Sequence, residues 1–497
     1  MAQRCGHGGS VLARSLAAAG IEVAFGVPGI HALPLWDGAV EAQVRTVGMR
    51  TEISAGFAAD GYARASGGAG VLFTTEGPGA VMGAAALVES RLSFVPVVNV
   101  VTQVAAPLMG SGRGALHELA AQSEILRSLC TWHAIARDAD EIPELVAAAL
   151  GAALSPPQGP VALEIPADVL AAATAAPVPT TIEPAVRLAP PELEGLTRAA
   201  SVLAAAANPV VLAGGGVLRA GASSALVRIA ELLDAPTVTT AMGKGAIPAD
   251  HPLAAGSATG DGATRRLLVD ADVVLAVGTE LGALVTGNWS LAFAGTLVQV
   301  DVRREHLGRS YPDALGVHGD ARLVLEALAA TMPARTPGRG AERAVSVRRE
   351  ITDGLRAQDR EAELSLLRTV REALPRDAIV AWDMTISGYA AMSHFPVFEP
   401  DTWLFALGSG TLGYAWPAAL GAALARPGRS VLAVQGDGGA SYSLAEILTA
   451  HQEGLDVSLL VVDDGGYGIL RVVQEQTSGR RAGVDLARAD LPALARA

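Results

Sequence analysis

The stretch that decides the fold reads Ser430-Val431-Leu432-Ala433-Val434-Gln435-Gly436-Asp437-Gly438-Gly439 and, after a helical pattern, Val457-Ser458-Leu459-Leu460-Val461-Val462-Asp463-Asp464-Gly465-Gly466. Its periodicity predicts strand, turn, helix, strand, turn. The apolar run 431–434 enters a turn at Gly436. Leu444, Ala445, Ile447, Leu448 and Leu455 form one helical face, and residues 459–462 return as a buried strand. A strand–helix–strand unit of this length makes its strands parallel neighbours. Asp437 and Asp464, 27 positions apart, then stand at the carboxyl ends of adjacent strands. That edge is where open α/β sheets bind ligands.

Gly436, Gly438 and Gly439 let backbone N–H groups approach an anion closely, and the helix after them points its positive end there. Two carboxylates beside such a cradle require a cation between them and the anion. Mg²⁺ suits the place, because it takes hard oxygen ligands and shares them between carboxylates and a diphosphate. A lone Gly-Asp-Gly is an ordinary turn; two acids at the ends of consecutive parallel strands carry more information.

The 497-residue chain exceeds what one core supports, so two to three domains are expected. No run of 18 uncharged apolar residues predicts a membrane span, and the N-terminal residues lack the apolar core of a secretion signal. A cytoplasmic location is the expectation. Cys5 and Cys130 are too few for a disulfide framework or a cysteine metal site. A net charge of −13 without a basic cluster argues against nucleic acid as a partner. Lys244 is the only lysine, in the loop-like Met242-Gly243-Lys244-Gly245, so any Schiff-base chemistry would have to use it.

Composition breaks at residues 171–192 and 333–344, where prolines including Pro177, Pro184, Pro333 and Pro337 cluster. These linkers divide the chain into 1–170, 190–332 and 355–497. Each part alternates strand-like runs with Ala-rich helical stretches, the pattern of a doubly wound α/β domain with a parallel sheet. Candidate strands are 23–25, 70–75 and 95–101; 209–213, 273–277 and 297–302; and 378–382, 430–434 and 457–462. The central Gly214-Gly215-Gly216 resembles a dinucleotide loop, but Arg219 stands where the fingerprint needs glycine, so packing is the better reading.

Gly-Asp-Gly followed at this distance by Asp463-Asp464-Gly465 resembles the cofactor motif of thiamine-diphosphate (ThDP)-dependent enzymes, the group of acetolactate synthase, pyruvate decarboxylase, benzoylformate decarboxylase and benzaldehyde lyase. The family usually carries Asn-Asn where this chain has Asp463-Asp464. The resemblance implies three consecutive α/β domains: pyrimidine-binding (1–170), central (190–332) and diphosphate-binding (355–497). It implies metal ligation by Asp437, Asp464 and the carbonyl of Gly466, and a cofactor set of Gly29, Gly79, Thr385, Gly410, Leu412, Gly436, Asp437, Gly438, Gly439, Asp464 and Gly466. FAD, carried by acetolactate synthases in the central domain, is left undecided by these residues.

Met49-Arg50-Thr51-Glu52-Ile53-Ser54-Ala55-Gly56-Phe57-Ala58-Ala59-Asp60-Gly61-Tyr62-Ala63-Arg64 is similar to the family segment whose glutamate hydrogen-bonds N1′ of the cofactor's pyrimidine. Thr51 or Ser54 caps a helix here, and an acid in its first turn also has a purely structural explanation. The resemblance makes Glu52 the catalytic acid and predicts a dry, apolar setting for it. Thr51 replaces the usual histidine. Phe25-Gly26-Val27-Pro28-Gly29, Glu76-Gly77-Pro78-Gly79 and Gly408-Ser409-Gly410-Thr411-Leu412-Gly413 match further family loops. In the last, the Gly410 carbonyl would hold the 4′-amino group and Leu412 would prop the cofactor.

The resemblance implies a 2-oxo acid substrate that loses CO₂, the product then being protonated or added to a second carbonyl. His31, after Ile30, and His117, in Leu116-His117-Glu118, are the further catalytic candidates. With Gly112-Arg113-Gly114, they look most like a branch acting as 5-guanidino-2-oxopentanoate decarboxylase. A homodimer or homotetramer with shared active sites is implied. The chain stops at 491–497 inside a helical pattern, where the family continues. The alternative class is an inactive homologue that kept the fold as a binding or regulatory subunit; a nicotinamide-dependent dehydrogenase is disfavoured by the failed glycine fingerprint.

Overall fold

The computed structural model describes residues 6–333, 335, 338–358 and 360–496; Cys5 and Pro337 lie outside them. Three parallel sheets follow one another. The first contains β1 (Val23–Gly26), β2 (Arg45–Gly48), β3 (Gly70–Thr74), β4 (Val97–Gln103), β5 (Trp132–Ile135) and β6 (Val161–Pro166), in the order β2-β1-β3-β4-β6-β5. The second contains β7 (Val210–Ala213), β8 (Thr237–Thr239), β9 (Ala254–Gly256), β10 (Val273–Val277), β11 (Thr296–Asp301) and β12 (Leu315–His318), in the order β9-β8-β7-β10-β11-β12. The third has β13 (Ile379–Trp382), β14 (Trp403–Phe405), β15 (Val431–Gly436) and β16 (Ser458–Val462), in the order β14-β13-β15-β16. Helices that matter below are α1 (Glu52–Ser66), α2 (Pro78–Leu92), α3 (Gly340–Ala357), α4 (Ala415–Ala425), α5 (Asp437–Ala440) and α6 (Glu446–Glu453).

The nine strand-like runs read from sequence all fall on strands, because parallel strands covered on both faces are continuous apolar runs. Three readings are corrected. Residues 333–344 are not all linker, since α3 begins at Gly340. The helix after Gly439 is interrupted: α5 is a single turn, and α6 starts only at Glu446. In this segment the apolar face is split: Ile447 and Leu455 pack against the core but Leu448 is 58 % exposed, while Ser443, Glu446 and Thr449 are buried. The cause is Glu446, whose carboxylate accepts the Arg50 backbone N–H at 3.1 Å and the Thr449 hydroxyl at 2.6 Å. β16, expected to be buried, is half-exposed as the edge strand of its sheet.

The chain forms two compact units. One comprises Met1–Arg187, Ile379–Thr385 and Leu404–Ala497; the other comprises Leu188–Ala378 and Ile386–Trp403. In the first unit, α1 and α4 meet backbone to backbone. A side chain at Gly61 would lie 2.1 Å from the Ala418 carbonyl oxygen, and one at Gly421 would lie 1.9 Å from that of Ala58. Around this crossing Phe57, Leu72, Leu404, Trp416 and Val431 share one core, so the first and third sheets bury a common apolar surface.

That core contains a charged network. The Arg64 guanidinium donates to Asp60 at 2.6 Å, to Glu89 at 2.9 Å and to the Phe405 carbonyl at 3.3 Å. Tyr414 and Ser90 donate to Asp60, each at 2.8 Å; Ser93 Oγ and Ser409 N and Oγ donate to Glu89 at 2.5, 2.7 and 2.8 Å. Burial works against the Arg64 charge, but Asp60 and Glu89 outweigh it and raise its pKa further. Replacing Arg64 with leucine leaves two buried carboxylates without their cation, and a stability loss of about 3–5 kcal/mol is expected in denaturant titration. A loss under about 1 kcal/mol, the worth of an exposed pair, contradicts this.

Candidate active site

The third sheet gathers one group of the candidate residues at its carboxyl edge. β15 and β16 pair in parallel with Gly436 opposite Val462, so Asp437 and Asp464 emerge side by side. The Asp464 N–H lies 3.4 Å from Asp437 Oδ1. Burial, and then the Asp437 charge, raise the Asp464 pKa, the mark of two carboxylates that want a cation. Arg471 partly supplies one, donating to the Asp464 carbonyl at 2.7 Å and to the Gly465 carbonyl.

The glycines here are required by contact. A side chain at Gly438 would meet the Tyr467 ring at 2.7 Å, and one at Gly439 would meet Asp383 Oδ2 at 2.6 Å. Internal packing therefore accounts for both glycines, and neither carries a side chain over Asp437. Thr385 joins the edge, its Oγ1 3.1 Å from where a Gly436 Cβ would stand. Gly410 has φ 67° and Gly413 φ 78°, a turn that brings the Gly413 N–H 2.8 Å from Asp383. Leu412 lies between them, half-buried.

The other candidates gather at the carboxyl ends of β1 and β3. Thr51 caps α1 by accepting the Ser54 N–H at 3.2 Å, which leaves Glu52 as the first helical residue. Thr75 sits among Gly29, Gly79 and Glu52: a Cβ at Gly29 would meet Thr75 Oγ1 at 2.7 Å, and one at Gly79 would meet Thr75 Cγ2 at 2.7 Å and Glu52 Oε1 at 3.3 Å. Glu52 is only half-buried within this chain, not in the dry setting expected of it. His31 and His117 do come together, with ring centroids 6.3 Å apart.

Glu76 joins the two histidines, a role the sequence reading missed because an acid before Gly-Pro-Gly reads as a turn residue. Its fully buried carboxylate bonds His31 Nδ1 and the Thr102 hydroxyl, and His117 Nδ1 lies 3.8 Å away. Burial pushes Glu76 up, yet the hydrogen bonds from Thr102 and His31 hold it below the usual carboxylate range. His117 has φ 64°, and its buried Nδ1 makes no hydrogen bond among the described residues. Gln122 adds support by accepting the Gly77 N–H at 2.7 Å. Asp383, also missed, is a buried carboxylate raised by burial and partly offset by the Gly413 N–H and Gln435.

In the central unit the Gly214 and Gly216 positions are filled by packing: a Cβ at either would stand 2.2 or 2.7 Å from the Gly278 backbone. Among the described residues no group of three or more His, Cys, Asp or Glu side chains is arranged to hold a metal, and no helix is long and apolar enough to cross a membrane.

Comparison with known proteins agrees with this architecture. Residues 6–125, 196–328 and 383–497 match the N-terminal TPP binding domain, central domain and C-terminal TPP binding domain of thiamine pyrophosphate enzymes. The chain is 38 % identical over 460 residues, 91 % of its own length and 81 % of the relative's, to the "probable 2-ketoarginine decarboxylase AruI" of Pseudomonas aeruginosa. It is 31 % identical over 478 residues (93 % and 77 %) to the acetolactate synthase of Mycobacterium bovis. It is 29 % identical over 496 residues (95 % and 83 %) to a "probable acetolactate synthase large subunit" of Methanocaldococcus jannaschii. Three matched domains in this order, over most of the chain, make it a member of the thiamine pyrophosphate enzyme family, with the 2-oxo acid decarboxylases and acetolactate synthases.

Proposed function

We propose that the chain is a ThDP- and Mg²⁺-dependent decarboxylase of a 2-oxo acid, with 5-guanidino-2-oxopentanoate as its candidate substrate. The observation that carries this is the pairing of Asp437 with Asp464 beneath bare glycine backbone at the ends of two parallel strands. Asp437, Asp464 and the Gly466 carbonyl would hold Mg²⁺, a hard-oxygen set that leaves positions for phosphate oxygens. ThDP, when bound, supplies the electron sink that lets a 2-oxo acid release CO₂. Glu52 holds a proton at the pyrimidine N1′, and the Gly410 carbonyl orients the amino group. His31, held by its hydrogen bond to Glu76, and His117 beside it would face the substrate and handle the proton that decides between aldehyde release and addition to a second carbonyl.

The substrate is proposed from the 38 % identity to the protein named for 2-ketoarginine, which is this guanidino acid. Purified protein with ThDP and Mg²⁺ is expected to release CO₂ faster from 5-guanidino-2-oxopentanoate than from pyruvate. The reverse order favours an acetolactate synthase-like reaction, and no release from any 2-oxo acid contradicts the proposal.

A site shared between two copies is the assembly we propose, as a homodimer or homotetramer. Glu52 lies against Gly79 and Gly83 at the start of α2, whereas Gly408 and Ser409 rest on Glu89, Leu92 and Ser93 at its end. Six to fourteen positions separate these points, about 9–21 Å along a helix. A single chain's Glu52 is therefore held away from its own pyrimidine segment. Exposed Val81, Met82 and Leu92 on α2, with Tyr442 and Leu448, offer an apolar surface for a second copy that would also dry Glu52. Glu52→Gln and Asp437→Ala chains, each inactive, should regain activity when dissociated and reassembled together. No recovery despite verified subunit exchange would mean that each site is built within one chain.

A further inference from the structure

The central unit holds a second place where chemistry is concentrated, and neither the proposed reaction nor the family match assigns it. Lys244, the only lysine of the chain, follows β8 and is 3 % exposed. Its two neighbours fix its path. A Cβ at Gly243 would stand 2.3 Å from the Ala213 carbonyl oxygen; Gly245, at φ 90°, would collide with the Glu399 carbonyl at 2.5 Å. With both flanks closed, the Lys244 side chain lines a cavity of about 260 Å³. Its ammonium lies 5.4 Å from the Trp403 ring centroid, and no carboxylate pairs with it among the described residues.

The walls state what would fit. Arg348, the other cation of the lining, is engaged with the Ala254 carbonyl. His394, lowered to about 4 chiefly by burial, is neutral near pH 7. Thr239 and Ser257, 2.7 Å apart, and Thr352 and Ser393 offer hydroxyls. Ile247, Ile351, Leu355, Leu364, Phe395 and Val397 supply an apolar body. Burial lowers the Lys244 pKa to about 7, so a partner anion would recover the cost of holding its charge there. One available cation and mostly apolar walls suit a monoanion; a phosphate dianion would need more donors.

We infer that this cavity binds a small carboxylic acid with a short apolar body, its carboxylate on the Lys244 ammonium. The probe is isovalerate, which lacks a 2-oxo group and cannot be decarboxylated, with isovaleramide as its neutral isostere. With isovalerate about 100-fold above its Kd, the melting temperature should rise by about 3 °C. Isovaleramide should give no rise. Lys244→Met should lose the isovalerate response, while Asp437→Ala should keep it, which separates this cavity from the cofactor site. Equal responses to acid and amide in the wild-type protein overturn the inference even if Lys244→Met fails to fold. So do an unchanged response in a folded Lys244→Met variant, no saturable response to isovalerate, or a response to inorganic phosphate alone.

Discussion

Replacing Glu52 with glutamine is expected to lower turnover by about 1,000-fold while ThDP still binds. Glutamine fills the same volume against Gly79 and Gly83, so α1 and α2 keep their packing. It cannot share a proton with a ring nitrogen as a carboxylic acid does. The lost charge at the first helical residue costs at most about 1 kcal/mol of stability, because the Thr51 cap is untouched. Steady-state kinetics and a ThDP melting shift measured on the same preparation separate the two effects. Activity within a few-fold of wild type removes Glu52 from the mechanism.

Asp437→Ala should act in the opposite sense, on binding rather than on chemistry. Wild-type protein with ThDP and Mg²⁺ about 100-fold above Kd gains about 2.7 kcal/mol. The variant keeps the bare backbone of Gly438 and Gly439 but loses one of two paired carboxylates, so a diphosphate would face Asp464 without a well-held cation. Its Mg²⁺-dependent melting shift should vanish. Relief of the Asp437 charge should also let the Asp464 pKa fall, so the apo-variant need not be less stable than the apo-wild type. A wild-type shift in the variant would mean that the metal, if bound, is held elsewhere.

Local pattern carried much of this in the sequence. The strands 23–26, 210–213 and 431–436 are apolar runs ended by glycine turns, and such runs are legible one at a time. Short or polar strands such as β2, β8 and β9 gave no comparable signal. The α6 region was misread because its inward face is polar: Glu446 is buried to hold the Arg50 backbone, nearly 400 positions away, and periodicity assigns polar residues to solvent. Glu76 and Asp383 were hidden for a related reason. Each matters through partners far along the chain, Thr102 and the two histidines for one, Gly413 and Gln435 for the other. The shared core of the first and third sheets was equally out of reach of any window-based reading.

The backbone contact of α1 with α4 has a consequence for biosynthesis. Gly61 leaves the ribosome some 357 residues before Ala418, the atom group it rests on, and the chain crosses into the other unit and back twice in between. At about 5–20 residues per second, the Gly/Ala face of α1 waits about 20–70 s for its cover. The nascent first sheet is therefore expected to need chaperone cover, whereas Leu188–Ala378 supplies most of its own unit before that wait is over. Stalled chains ending before α4 should be cleaved by protease within α1 and protected in the central sheet. Expression of this enzyme would then be limited by how long one small-residue helix face stays uncovered, rather than by the stability of the finished protein.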